Sequence, residues 1–269
     1  MRKVFRILVL IVWIAGLAGH GVADGGTNDL WFNIGEELNY RGYWGVLPVG
    51  DVKIWTESVA GHPDRIAIRM KATSWSIVSA LFPVEDFIES VVDIGTFLPV
   101  TYAQHLSEGG RLRDDITTFS HDQGKAVCVS ERKGSTNTTK VLEIASDTRD
   151  VLCLMYYMRA KGLGVGGNEH FKVLVDDKLY DLSITGLKSN TVYLSQFGDV
   201  RCLELEPKAK FGEVFVRKGT MKMWFSDDAS RICAKAEAIV PVANIRVLLR
   251  SAVNTRDGFW TGGKRKGKR

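Results

Sequence analysis

Apolar and polar residues alternate with a period of two along most of the chain, in runs rich in Val, Ile, Thr, Tyr, Phe and Trp that Gly, Asp and Asn interrupt. A period of two puts successive side chains on opposite faces of a strand, whereas a helix repeats its apolar positions every three or four residues. Residues 52–59 and 65–71 alternate in this way around Ala60-Gly61-His62-Pro63-Asp64, which predicts an antiparallel hairpin. The same reading pairs residues 113–121 with 125–132 around Asp122-Gln123-Gly124, and 170–175 with 178–187 around Asp176-Asp177. It also pairs 191–196 with 200–206 around Phe197-Gly198-Asp199, and makes a meander of 219–225, 232–240 and 244–251. Short turns without long crossovers predict about twelve or more antiparallel strands, with residues 133–139 as a long exposed turn.

One segment departs from the pattern. Asp147-Thr148-Arg149-Asp150 places acidic residues before residues 151–160, a run of good helix formers that Gly162 and Gly164 then end. Val151, Leu154, Met155 and Met158 share a face and Leu152 and Tyr156 widen it, so the helix is expected to pack into the concave side of the sheet. Residues 75–82 predict a second, shorter helical turn. The expected fold is therefore mainly β: a large curved antiparallel sheet or partly open barrel packed around one helix.

The first residues change the picture of where the domain begins. Arg2, Lys3 and Arg6 precede an apolar run at 7–17, and Gly21-Val22-Ala23 supplies small residues where a signal peptidase cuts. Residues 1–23 thus read as a secretory signal peptide, too short in its apolar run for the ~20 residues that cross a bilayer. His20 stands where a lipidated Cys would follow Leu17-Ala18-Gly19, so no lipid anchor is expected. The organisation that follows is one antiparallel β domain at 24–255 and a flexible basic tail at 256–269, in an exported protein, periplasmic or secreted.

Charge excludes one class of partner. The formal charge of +5 owes three units to Arg2, Lys3 and Arg6 and five to Lys264, Arg265, Lys266, Lys268 and Arg269, which leaves the body at −3. A nucleic-acid binder carries its basic residues on the folded domain, so no nucleic acid is expected. The tail's one functional reading is a peripheral contact with anionic headgroups, worth roughly 1 kcal/mol per basic residue. Cys128, Cys153, Cys202 and Cys233 form no CxxC pair and no zinc spacing. They read as small buried hydrophobes or, in an oxidising compartment, as disulfide partners, with Cys202 and Cys233 the expected pair.

Several ordered motifs resemble a family. Gly35-Glu36-Glu37-Leu38-Asn39-Tyr40 leads to Trp44-Gly45-Val46-Leu47-Pro48-Val49-Gly50; Asp93-Ile94-Gly95-Thr96-Phe97-Leu98-Pro99, Tyr156-Tyr157-Met158-Arg159 and Trp224-Phe225-Ser226-Asp227-Asp228 follow. Over about residues 33–251 the chain resembles the exported bacterial family catalogued as domain of unknown function 3108. Cys233 departs from the pattern, which has Pro after the pair matching Arg231-Ile232. The resemblance implies an envelope location and an antiparallel β fold, and carries no catalytic residue. By looser analogy the fold is similar to the periplasmic lipoprotein carriers, whose curved sheet wraps short helices around an apolar cavity.

No set of residues specifies a reaction, so no enzyme and no cofactor is expected. Gly162-Leu163-Gly164-Val165-Gly166-Gly167 follows a helix and precedes a strand, the reverse of a dinucleotide fingerprint. The pairs Asp114-Asp115, Asp176-Asp177 and Asp227-Asp228 fall on strands, where neighbours face opposite ways, or in turns. His62, His105, His121 and His170 are scattered, and no Ser lies in a GxSxG elbow. The aromatic residues Trp44, Trp55, Trp75, Phe87, Phe119, Tyr156, Tyr157 and Trp224 are read as core or as the lining of a ligand cavity.

Two functions remain open. One is a non-enzymatic envelope protein that binds a lipid or acylated ligand, with Trp55, Phe87, Met155 and Tyr156 as its cavity residues. A chain of about twelve methylenes would gain roughly 10 kcal/mol gross at ~0.8 kcal/mol each, against an association cost on the order of 4–15 kcal/mol. The other is an interaction or assembly module with a filled core, which recognises another envelope protein through an exposed edge or apolar patch.

Overall fold

The computed structural model describes residues 30–80, 82–132, 134–211, 214–215, 220–240 and 243–261. The expected signal peptide at 1–23 and the basic residues 264–269 lie outside the described residues. The strands are β1 (Glu37–Trp44), β2 (Leu47–Val59), β3 (His62–Ser74), β4 (Glu85–Asp93), β5 (Pro99–Glu108), β6 (Arg111–Ser120), β7 (Lys125–Arg132) and β8 (Thr138–Glu143), then β9 (Asn168–Val175), β10 (Lys178–Leu194), β11 (Gly198–Phe211), β12 (Val214–Phe215), β13 (Thr220–Ser226), β14 (Cys233–Val240) and β15 (Ala243–Val253). Among the described residues three helices accompany them: α1 (Ser76–Ser79), α2 (Val151–Lys161) and α3 (Gly258–Thr261).

All strands join one sheet in the order β8-β7-β6-β5-β4-β3-β2-β1-β15-β14-β13-β11-β10-β9, with β12 paired to β11. Within β1–β8, β9–β11 and β13–β15 consecutive strands pair antiparallel, most of them through tight turns, and β1 meets β15 to join the two halves of the chain. The sheet is not closed: β8 and β9 are its two ends, and the path contains no pairing between them. One face is buried over most of its extent. Leu38, Val52, Ile54, Ile68, Met70 and Ile88 fall in phase on it, together with Ile184, Leu205 and Ile245 from the other half.

Two strands differ from the sequence reading. Residues 178–187 and 191–196, expected as separate strands, run on as the single strand β10, whose register slips between Gly186 and Lys188. The slip is a bulge that bends the strand without ending it. Gly186 sits at that bend because a Cβ there would collide with the carbonyl of Gly164. Residues 138–139, expected within a turn, open strand β8; its Thr-Thr-Lys start has too little alternation to announce a strand.

Helix α2 forms as its caps dictate. Asp150 accepts the Cys153 N–H at 2.9 Å, and Gly162 ends the helix in the left-handed region at φ 62°. The helix crosses one end of the sheet: Asp150 accepts from Ser90 of β4 at 2.6 Å, and Arg159 at its far end reaches the segment before β1 and the β13–β14 turn. There the fully buried Arg159 donates to Glu36 through both Nη atoms, Nη2 to Oε2 at 2.8 Å, and its Nε donates to the Ser230 carbonyl at 2.9 Å. Trp31, Phe32, Phe97, Tyr156 and Tyr157 pack ring against ring beneath the helix, with Trp31–Phe97 and Phe32–Tyr156 centroids 4.5 and 4.7 Å apart.

Residues 256–261, expected to belong to a flexible tail, are in part helical. Residues 258–261 form α3, Trp260 is only 1% exposed against Phe197, and its Nε1 donates to Asp228 Oδ2 at 2.9 Å. Two adjacent aromatics outweigh the polar composition around them, because burying each ring removes a large apolar area from water.

Candidate functional site: a polar cleft at the open seam

Where β8 and the β9–β10 turn approach each other, a cleft of about 280 Å³ opens on the concave side of β5–β8. Register builds its floor. Gln104 of β5 stands opposite Asp115 of β6, Asp115 opposite Ser130 of β7, and Ser130 opposite Thr138 of β8. Directly opposed residues share a face, so these four form one polar rung across four strands. The neighbouring rung runs Tyr102, Thr117, Cys128 and Lys140. Leu174 of β9 supplies an apolar wall.

The rung has unspent hydrogen-bonding capacity. Gln104 is 2% exposed and Asp115 9%, yet Gln104 Nε2, Asp115 Oδ1 and the Ser130 hydroxyl have no hydrogen-bond partner among the described residues. Each such group costs roughly 1–3 kcal/mol when left unmade. Three of them side by side offer a donor, an acceptor and a hydroxyl to whatever fills the cleft.

Ion pairs close the rim. Arg113 pairs with Asp115 through Nε, and its Nη2 approaches Asp176 at 3.3 Å; Lys140 Nζ donates to Asp177 at 3.0 Å. Burial alone would depress the Arg113 guanidinium, but Asp176 and Asp115 outweigh it and hold its pKa above the ordinary value. Asp176 and Asp177 both occupy the left-handed region, at φ 46° and 57°, a conformation that costs a non-glycine residue energy. The two carboxylates are thereby presented across the seam, one to β6 and one to β8. The cleft thus has fixed charges of both signs and neutral hydrogen-bonding groups beside its apolar wall. It suits a polar guest.

The residues expected to line a cavity do not come together. Trp55 and Phe87 lie on the outer face, 6.2 Å apart, with the Trp55 Nε1 donating to Glu57 at 2.7 Å. Phase decides this: Val52, Ile54 and Thr56 take the inner positions of β2, so Trp55 must point outward. Met155 and Tyr156 are buried under α2 as core. The expected Cys202–Cys233 disulfide is absent, and all four cysteines are buried free thiols. Strand β13 separates the two, Cys202 lying opposite Ser226 and Cys233 opposite Phe225. Two strand spacings, roughly 9.5 Å, exceed the reach of a disulfide. Burial pushes the Cys202 thiol up to about 12 and that of Cys233 higher still. The acidic pairs behave as expected: Asp114 meets His105 outside at 2.6 Å while Asp115 faces inward, and Asp228 Oδ1 caps the turn by accepting from Ser230 and Arg231.

Sequence reasoning missed the rung, although a signal was present. Gln104 is in phase with buried Tyr102, Asp115 with Phe119, and Ser130 with Ala126 and Cys128. No group of three or more His, Cys, Asp or Glu is placed to hold a metal, and no helix is long and apolar enough to cross a membrane, among the described residues.

An open antiparallel sheet of this length, rolled toward a barrel, crossed at one end by a helix and carrying a polar seam, defines a barrel-like β class. The chain belongs to the family of proteins of unknown function DUF3108, whose profile matches residues 39–250. Among solved structures it is similar to a β-barrel-like protein of domain of unknown function DUF1849 from Brucella abortus, with a TM-score of 0.56 and 8% identity over 82% of this chain and 98% of that one. A protein with a YmcC-like fold from Bacteroides fragilis, described as a candidate exported protein, is also similar, with a TM-score of 0.36 and 8% identity over 89% and 99% of the two chains. No curated protein matches the sequence. At this identity the Brucella structure supports the fold alone.

Proposed function

We propose that the protein is an exported, non-enzymatic binding module that takes a polar ligand, or the polar part of a larger one, in the seam cleft. The observation that carries this reading is the buried rung of Gln104, Asp115 and Ser130 with hydrogen bonds unspent. A ligand with donors and acceptors in the same row would recover them, and an acyl chain would leave them unmade. The volume, about 280 Å³, lies just under the range of roughly 300–1,000 Å³ typical of small-molecule pockets. Met155, Tyr156 and the aromatic cluster are packed as core at the α2 end, which favours a polar guest in the seam cleft over an acyl chain there.

The test is a thermal-shift screen of sugars, amino acids and short peptides against the purified protein and a Gln104→Leu variant, together with lipid extraction and mass spectrometry of the protein prepared without detergent. The reading expects a polar compound to raise Tm in the parent protein and not in the variant. A stoichiometric acyl species that Gln104→Leu retains unchanged would overturn it.

A further inference from the structure

Strand β8 ends the sheet, and among the described residues no backbone pairs with it on the side away from β7. The opposite end, β9, is covered: the Arg149 N–H donates to the Lys172 carbonyl at 3.0 Å and the Leu174 N–H to the Arg149 carbonyl at 2.9 Å. The two faces of β8 differ. Its outward Val141 is 60% exposed and stands opposite Val127, itself exposed, while outward Val129 of β7 stands opposite exposed Ile116 of β6. Its inward Thr138 and Lys140 line the polar cleft. A row of unpaired N–H and C=O groups flanked by β-branched side chains is a template for another strand.

We infer that the seam is occupied by an extended segment of a partner polypeptide, added antiparallel or parallel to the free side of β8. This rests on the polar-cleft reading and names its ligand class. Strand geometry fixes the chemistry of the segment, since alternate side chains must face opposite ways. Its outward residues are aliphatic, extending the Ile116–Val127–Val129–Val141 patch. Its inward residues are polar and include an acid beside Lys140, taking the place of Asp177. A second copy of this chain does not fit as well. The inward positions of β8 are Thr138, Lys140 and Leu142, none acidic, so a second β8 would bring no carboxylate to Lys140.

The purified protein is panned against a displayed library of random peptides about ten residues long, a strand's usual length. The enriched peptides are expected to alternate aliphatic with polar or acidic residues and to slow amide exchange over residues 138–143. Val141→Lys, on an exposed side chain, is expected to weaken binding about tenfold or more by placing a charge on the edge. Lys140→Glu is expected to shift the enriched inward residue from acidic to basic. Val253→Lys, at an exposed apolar position on β15, leaves binding unchanged. Failure to enrich any peptide, enrichment without alternation, or binding indifferent to Val141→Lys would overturn the proposal. So would a dimer, seen by sedimentation, that Val141→Lys dissolves. If Gln104→Leu abolishes binding and Val141→Lys does not, the strand is wrong and the polar-ligand reading stands. If neither variant affects binding, both are wrong.

Discussion

At the α2 end of the concave face, Trp31, Phe32, Phe97, Tyr156 and Tyr157 meet ring to ring, and the buried charges have partners: Arg159 has Glu36 and Ser230, and Asp150 has Ser90 and the Cys153 N–H. At the seam, the same sheet buries Gln104, Asp115 and Ser130 with hydrogen-bonding atoms unspent; outside the cleft, on β4, Asp86 has one oxygen accepting from the Ser107 N–H while the other has no partner among the described residues. Polar groups are buried at both ends, so burial alone does not distinguish them. What differs is which groups go unmet: among the described residues, the α2 end leaves the neutral hydroxyls of Thr148 and Tyr156 without a partner while its charges are paired, whereas the seam leaves a carboxylate oxygen and an amide unmet. Satisfied networks hold a fold in one arrangement, while unsatisfied ones subtract from stability and persist where they serve a ligand. The comparison therefore assigns stability to the α2 end and binding to the seam.

The contrast is broken most severely at the Arg159–Glu36 pair. Glu36→Ala strands a buried guanidinium and is expected to cost about 3–5 kcal/mol in urea unfolding. Trp260→Ala, which empties the pocket between α3 and Phe197, is expected to cost about 3 kcal/mol in the same measurement, and so to show that the domain extends past residue 255.

On β4 the sign reverses. Burial pushes the Asp86 carboxyl up to about 7, above the ~3.9 of an unfolded aspartate. The folded state therefore binds the proton more tightly, and stability is greatest below about pH 4 and is lost as pH rises through 7. Asp86→Asn keeps an oxygen for Ser107 and removes that titration. Its unfolding free energy is expected to match the parent protein's near pH 4 and to exceed it by on the order of 2–4 kcal/mol at pH 8. A pH series of denaturant titrations checks this. The smallest effect belongs to Trp55→Ala on the outer face, expected to cost less than about 1 kcal/mol and to leave binding unchanged; a large loss of binding there would restore the cavity role the sequence suggested.

Much of the fold was legible because local chemistry set it. Asp150 and Gly162 bracket α2, and the hairpins around Gly61, Gly124 and Gly198 follow from alternation with turn residues between. Strand β8 was obscured by Asn137-Thr138-Thr139-Lys140, whose composition suits a turn as well as an edge strand. The site was harder to see, for a physical reason. Taken one at a time, Gln104, Asp115 and Ser130 each look like solvent-facing residues of a strand, and only the register of β5, β6 and β7 sets them side by side on the buried face. Aromatic size misled at Trp55 and Phe87, since phase, set by the aliphatic neighbours, decides which face a side chain takes.

The central claim is that the polar rung is kept for binding and not for folding. Its most direct test is the unfolding free energy of Gln104→Leu, measured by urea titration beside its affinity for the peptides or small molecules selected on the parent protein. The account predicts unchanged or increased stability, because an unpartnered buried amide is replaced by an apolar group of similar size, together with loss of binding. A loss of more than about 2 kcal/mol of stability with binding intact would contradict it, and would make the rung part of the core.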